Sequence, residues 1–497
     1  MVESAEERDR RRLQSLETHY RPCACRSTTP FFSKREYARS SSHKVYPSRG
    51  PYRTEFQSDR DKVLYSRSFR RLRLKTQIYP EHTADHLRTR LDHTLEVAQI
   101  ARHLARQLRL NEDLADAISL AHDVGHTPFG HSGERALHTF LGHWNETHNL
   151  GLDGFKHNWQ GLRVVDKLEK SYPEHDGLNL TRAVRIGILN HTSLKYSERA
   201  GLPDWPENHC SCDMWDKLCF DPSDRRYSLF EVQTCHLADE IAQVIHDLED
   251  AIISEAFGLE EIVRNRNEYP LLASCLDNIQ SSVKQMLVEQ SDNPLQHLES
   301  WTDWSRFPFA DQDQSSKLVL RLRSEMIYVI TIAVLDFSQG ALDEWEQRHL
   351  VSSQEETQIE EFNNLVNGGV PFDDCVTFGS SETGRNFEEL KTKLTDRVIR
   401  SERVNRMDGK ADYVLRHILQ VYLTSPKQVH QSVLDQYVKQ AHPENADIRG
   451  WKRKELAQLQ KDKDFVRAVV DYVSGMTDRF ALQEYDQLYS AYPRIPS

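Results

Sequence analysis

Apolar residues recur at helical spacing along most of this chain, and no segment alternates apolar and polar residues as a half-buried strand would. His93, Val97, Ile100, Leu104 and Leu108 fall on one helical face, as do Leu114, Ala117, Ile118 and Ala121, after which Gly125 stops the helix. Leu237, Ile241, Val244, Ile245 and Leu248 repeat the pattern within 232–249. The same periodicity predicts helices near 159–171, 181–191, 316–346, 386–408, 411–424 and 463–474. Polar or Pro-bearing breaks are expected near 142–156, 200–228, 291–315 and 350–385. The expected fold class is therefore all-α. Residues 1–50 show no sustained periodicity and read as a loosely ordered basic and polar arm. Residues 51–260 carry the motifs of a helical core, and 261–497 read as a C-terminal helical region packing on it.

Composition excludes several classes. Apolar residues make up 38% of the 497, enough for a sizeable core, and 8 Trp, 18 Tyr and 19 Phe argue against disorder throughout. The longest apolar run, Met326 to Leu335, is about half the ~20 residues that a bilayer span needs. The first residues, MVESAEERDRRR, have no apolar segment of the secretory kind. Eight cysteines in so long a chain suit a reducing compartment better than a disulfide framework, so a cytoplasmic protein without membrane attachment is expected. The net charge is −12, yet 49–90 is rich in Arg and Lys. Such a segment fits an anionic ligand, either a nucleotide or a nucleic-acid backbone, or else a salt-bridged helix face.

The stretch AHDVGHTPFGHSGE, Ala121 to Glu134, carries the chemistry. His122 and Asp123 close a helix, and consecutive side chains about 100° apart can still reach one divalent ion beside its end. Mixed nitrogen and oxygen ligation suits Mn²⁺, Fe²⁺, Zn²⁺ or Mg²⁺. Further ligands must come from elsewhere, and His93 and Asp239 lie on helices with apolar faces. His131 and Glu134, three apart, face the same way on a helix starting near Gly130. A carboxylate beside an imidazole orients its tautomer and raises its basicity, as an acid/base group requires.

His93, His122–Asp123 and Asp239 resemble the H…HD…D signature of HD-domain metal-dependent phosphohydrolases. RRLRLKTQIYP, RTRLDHTLEVAQIAR, LADEIAQVIHDLEDAI and YVSGMTDRFALQEY, taken with Ala121–Glu134, resemble the dGTP triphosphohydrolase branch in the family's own order. The resemblance implies an HD-domain helical core that hydrolyses deoxynucleoside triphosphates at the α-phosphorus, releasing deoxynucleoside and intact triphosphate. It implies that His93, His122, Asp123 and Asp239 bind the metal: Mn or Mg first, with Fe, Zn, Co or Ni compatible. His131 with Glu134 takes the catalytic acid/base position. Substrate contacts fall on Gln77, Arg90, His126, His157, Asn158, Gln243 and Asp247. A homo-oligomer, hexamers being common in the family, and a single-stranded DNA or nucleotide effector are further implications.

Two positions depart from the family pattern. Gln243 stands where a Tyr usually excludes ribose, and ILNHT, with Asn190 and His191, replaces a segment with a phosphate-binding Lys. Both bear on base and sugar preference rather than on reaction type. The competing readings are an HD phosphohydrolase acting on another nucleotide, such as a deoxynucleoside monophosphate or an alarmone, and a nucleic-acid-binding regulator with a vestigial HD site. His209, Cys210, Cys212 and Cys219 lack structural-zinc spacing and read as an ordinary loop with buried thiols, as do Cys23 and Cys25 in the arm.

Overall fold

The computed structural model describes residues 17–35, 53–76, 88–152, 154–191, 229–253, 256–289, 295–367, 372–399, 401–441, 456 and 458–490. Among these every regular element is helical, and pairing of extended backbone is confined to one bridge, Thr76 with Thr89. Gln77, residues 200–228 and the cysteine-bearing stretch His209 to Cys219 lie outside the described residues. The described residues fall into two compact units. One takes those within Met1–His236, Ser352–Asp373 and Asn405–Ser497, the other those within Leu237–Val351 and Asp374–Val404.

Caps set the starts of the first helices. In α1, Glu55–Leu64, Thr54 and Gln57 cap each other, and in α2, Arg90–Gln107, Thr89 and Asp92 do the same. Asn111 accepts the Leu114 N–H at 3.1 Å to open α3, Glu112–Ala121. Helices α1 and α2 both pack on α3. Next come α4, Gly130–His148, α5, His157–Arg163, and α6, Arg182–Asn190. Helix α6 can approach α3 because residue 187 is glycine: a Cβ there would stand 2.4 Å from Ile118. Helix α7, Phe230–Ile253, begins in the first unit and runs unbroken into the second.

The second unit is built on α8, Pro270–Glu289, α9, Gln312–His349, and α10, Glu382–Ile399. The long apolar run lies in α9 as a stripe: Met326, Ile330 and Val334 are buried, while Tyr328 is 62% exposed. No described helix is long and apolar enough to cross a membrane. The last described helices are α11, Glu402–Thr424, which lies in the first unit from Asn405 on, then α12, Gln431–Ala441, α13, Lys463–Ser474, and α14, Asp478–Tyr489, all in the first unit. Leu415, Leu419 and Tyr422 of α11 and Phe465 and Val469 of α13 form one core with Leu137 and Phe140 of α4.

Several segments differ from the periodicity reading, each for a tertiary reason. The break expected from 142 begins only after His148, because Trp144 packs on this core and donates its indole N–H to Gln460 O at 3.1 Å. The helix expected over 386–408 is two helices, and the Ser401 hydroxyl accepts the Val404 N–H to start the second. A helix, Glu355–Asn367, occupies part of the expected 350–385 break, with Phe362 buried against Phe32 and Phe372. Residues 17–35, read as part of a loose arm, are instead held down. Arg21 N–H donates to Arg109 O, the Cys25 N–H to Glu231 Oε1, and the Asn111 amide to Cys25 O. Cys23 and Cys25 are buried thiols, as expected.

The basic segment divides. Arg53 and Arg60 pair with Asp61, and Arg88 with Glu96, as a salt-bridged face, whereas Arg90 turns inward and is 1% exposed.

Candidate active site

Helix α3 ends at Ala121, and His122 keeps helical dihedrals as its C-cap, so the His122 and Asp123 side chains emerge together at a helix end. The His122 Nδ1 lies 2.5 Å from Ser119 O. A carbonyl only accepts, so Nδ1 carries the hydrogen and Nε2 presents its lone pair. The His93 ring, from the first turn of α2, stands 5.7 Å away, and both histidines are 1% exposed.

Asp123 is the electrostatic centre. Its Oδ2 accepts Arg90 Nη1–H at 2.6 Å and its Oδ1 lies 3.1 Å from His126 Nε2. Burial opposes ionisation of this carboxyl, but the Arg90 guanidinium beside it holds it well below the usual range. The His126 pKa is pushed down as well: burial first, then the Arg90 charge, keep its imidazole neutral. Among the described residues, Arg90 Nε and Nη2 and His126 Nδ1 are buried donors or acceptors with no hydrogen-bond partner. An inward-facing guanidinium with unsatisfied donors is a fork suited to a phosphate oxygen.

The loop after Asp123 depends on close approach. A Cβ at Gly125 would stand 2.1 Å from His157 O and from Gly161 N, so only glycine lets the loop pass α5. Phe129 then takes a left-handed conformation, φ 62°, uncommon for a residue with a side chain. Asp478, at the start of α14, holds it there: Oδ1 accepts the Phe129 N–H at 2.9 Å and Oδ2 accepts the Thr76 N–H at 2.9 Å. Replacing Asp478 by Ala strands two buried backbone donors and is expected to destabilise the chain by about 2–4 kcal/mol. Urea unfolding checks this, with Asp478→Asn falling between; an unchanged midpoint for Asp478→Ala would mean that other contacts hold the loop.

On the first turn of α4, His131 Nδ1 lies 3.2 Å from Glu134 Oε2, with His131 largely exposed and Glu134 buried. The same Oε2 lies 3.1 Å from His157 Nδ1. Burial alone would raise the Glu134 carboxyl, but the His157 charge and hydrogen bonds from both histidines hold it well below its usual value. The His157 ring stacks on His126 at 4.0 Å. Asn158 donates its amide to Leu189 O at 3.0 Å, joining α5 to α6. His126, His131, Glu134 and His157 each bring a ligand-capable atom within 4.8 Å of the others, as do Asp123, His157 and His191. Asp239 lies on α7 three residues past His236, within the second unit. Gln243 and Asp247 follow one and two turns on, the Gln243 amide donating to Asp247 Oδ1 at 2.7 Å. Burial pushes the Asp247 carboxyl up to about 7.

Three residues of this region went unassigned in the sequence. Lys75 donates to His126 O and Ser474 O, and burial lowers its pKa to about 7. Asp478 carried only a weak signal, as an acidic residue opening a helix. His191 was noted as a departure in ILNHT, yet its ring stands 5.2 Å from that of His122.

A helical scaffold presenting a His–Asp pair at a helix end, ringed by buried histidines and an inward arginine, defines the HD class of phosphohydrolases. The HD domain family matches residues 90–243, and the phosphohydrolase-associated domain family matches 378–487. Three proteins named deoxyguanosinetriphosphate triphosphohydrolase-like align along most of the chain. That of Brucella suis is 32% identical over 97% of this chain and 99% of its own length. Those of Bordetella pertussis and Rickettsia conorii are 32% and 30% identical, each over 88% of this chain and 90% and 92% of their own. The chain belongs to this dGTP triphosphohydrolase-like family of HD-domain phosphohydrolases.

Proposed function

We propose that the chain hydrolyses deoxynucleoside triphosphates at the α-phosphorus, releasing deoxynucleoside and intact triphosphate with the help of a divalent ion. The observation that carries this reading is the Arg90 guanidinium. It is buried, anchored to Asp123 by one nitrogen, and has two others unsatisfied beside the His122–Asp123 pair. The names of the relatives point to the same substrate class. His93, His122, Asp123 and Asp239 are the proposed ligands, and the donor set fits: two imidazoles and two carboxylates suit Mn²⁺ or Mg²⁺ as well as Fe²⁺ or Zn²⁺. When bound, such an ion polarises a phosphoryl oxygen and lowers the pKa of a coordinated water. His131, oriented by Glu134, holds or delivers the proton exchanged with the attacking or leaving oxygen. Arg90 and His126 bind phosphate oxygens, while Gln77, His157, Asn158, Gln243 and Asp247 are assigned to the substrate by resemblance.

The test is a product assay. All four deoxynucleoside triphosphates and their ribo counterparts are incubated with Mn²⁺ or Mg²⁺, and the products are separated. Tripolyphosphate and deoxynucleoside in equal amounts are expected. Stepwise release of phosphate, or of pyrophosphate and a monophosphate, would overturn the reading.

Sugar selection is expected to rest on Gln243. Its amide, engaged with Asp247, gives no rigid face under C2′ and can satisfy a 2′-hydroxyl. A pocket that merely fails to reject a hydroxyl discriminates by only about 10²-fold. The ratio of kcat/KM for dGTP over GTP should therefore be modest in the wild type and rise in Gln243→Tyr. A wild-type ratio above about 10⁴, unchanged by the substitution, would assign selectivity elsewhere, for example to Trp159.

A further inference from the structure

Arg90 and His126, the two proposed phosphate contacts, meet twice. Their side chains meet on the Asp123 carboxylate, Arg90 Nη1 at 2.6 Å from Oδ2 and His126 Nε2 at 3.1 Å from Oδ1. Their main chains meet on Lys75. The Lys75 carbonyl accepts the Arg90 N–H at 3.2 Å, one of the donors that the first turn of α2 leaves without a helical partner. The Lys75 ammonium donates to His126 O, and to Ser474 O at 3.1 Å. One residue thus joins the start of α2, the loop after the His–Asp pair and the last turn of α13.

A cation is costly at this place. Lys75 is 4% exposed; burial first, then the Arg71 charge, lower its pKa to about 7, with Arg90 adding to the fall and Asp478 and Asp123 opposing it. Carbonyls rather than a carboxylate satisfy the ammonium. One of them closes α13, and the partial negative charge of a helix C-terminus favours a cation. An apolar side chain here would avoid the desolvation altogether, so the charged donor needs another reason. A charge-assisted hydrogen bond holds its acceptor more firmly than a neutral one. What it holds is the backbone of His126, whose Nδ1, like Arg90 Nε and Nη2, is buried without a partner among the described residues.

We propose that Lys75 is a positioning residue for phosphate recognition, its ammonium and carbonyl fixing the His126 main chain against the first residue of α2 so that both side chains face one ligand. The inference rests on the preceding reading for the identity of that ligand and adds a residue which that reading leaves unused. Lys75 acts through Arg90 and His126 rather than on the substrate itself. Its carbonyl is common to every residue type, so substitution removes only the hold on His126. The loss is therefore specific: it weakens binding of a phosphate chain and spares a nucleoside.

The test is calorimetric titration of the full chain, with Mn²⁺ present, using two probes that need no turnover: tripolyphosphate and deoxyguanosine. Lys75→Met should weaken tripolyphosphate roughly 10–100-fold, the scale on which a misplaced contact acts, and leave deoxyguanosine unchanged. Lys75→Arg keeps the charge and the donors, and the cavity of about 560 Å³ that Lys75 lines gives the longer side chain room. It should bind tripolyphosphate within a few-fold of the wild type. In a His126→Ala background Lys75→Met should change tripolyphosphate affinity by less than about two-fold, because its effect runs through the residue already removed. Should Lys75→Met not fold, Lys75→Gln, shorter and uncharged, carries the same comparison. Unchanged tripolyphosphate binding in the neutral variant would overturn the proposal. Equal loss of both probes, equal loss in Lys75→Arg, or full additivity with His126→Ala would overturn it as well. If the product assay yields tripolyphosphate while Lys75→Met binds it as tightly as the wild type, this inference fails and the proposed function stands. Other products, with tripolyphosphate binding selectively lost in Lys75→Met, give the reverse.

Discussion

Replacing Asp123 by asparagine is expected to lower turnover by roughly 10³-fold or more, the loss that several kcal/mol of transition-state stabilisation implies. The carboxylate is held ionised, buried, and shared between Arg90 at 2.6 Å and His126 at 3.1 Å. It is also the proposed charge-bearing ligand, so bound metal should fall with activity. Alanine is the harsher change. It leaves the 1%-exposed Arg90 without its counter-ion, and breaking a buried pair in this way costs about 3–5 kcal/mol of stability. The asparagine variant keeps an acceptor for Arg90 and separates the two effects. It should unfold in urea close to the wild type, while its metal content, measured after dialysis, is depleted. Full metal occupancy with full activity in Asp123→Asn would remove Asp123 from the ligand set.

The contrast between Asp123 and Asp478 shows what this sequence makes legible. His122 and Asp123 are adjacent, sit at a helix end signalled by Gly125, and are followed within one turn and loop by His131 and Glu134. All of that is local, so spacing alone groups them. The starts of α2 and α3 are equally local, since the Thr89–Asp92 box and the Asn111 cap on the Leu114 N–H each lie within four residues. Asp478 acts across 349 residues on Phe129, and His191 across 34 on His157. Nothing near either position announces a partner. Helix α4 outran its expected end for the same reason, because Trp144 is fixed by Gln460 rather than by its own turn. The burial of residues 17–35 depended on Glu231, a residue more than 200 positions away. Local chemistry was visible, and long-range satisfaction of buried polar groups was not.

His131→Ala is expected to lower turnover by roughly 10²–10⁴-fold, the usual loss on removing a general acid or base, while metal content stays at the wild-type level. His131 alone in this histidine cluster combines exposure with a carboxylate partner: its side chain is 59% exposed, and Nδ1 rests 3.2 Å from Glu134 Oε2. An exposed imidazole can meet an incoming substrate oxygen, and the buried carboxylate behind it sets which nitrogen faces that oxygen. Glu134 should be the more damaging site structurally, since its Oε2 also orients His157 at 3.1 Å. Glu134→Gln is therefore expected to disturb two histidines and His131→Ala only one. The comparison is read from kcat, KM, metal per chain and the urea midpoint. A His131→Ala chain that keeps its metal and fold but loses kcat with little change in KM fits a proton-transfer role. Activity within a few-fold of the wild type would give that role to another group, and loss of metal together with activity would make His131 a ligand.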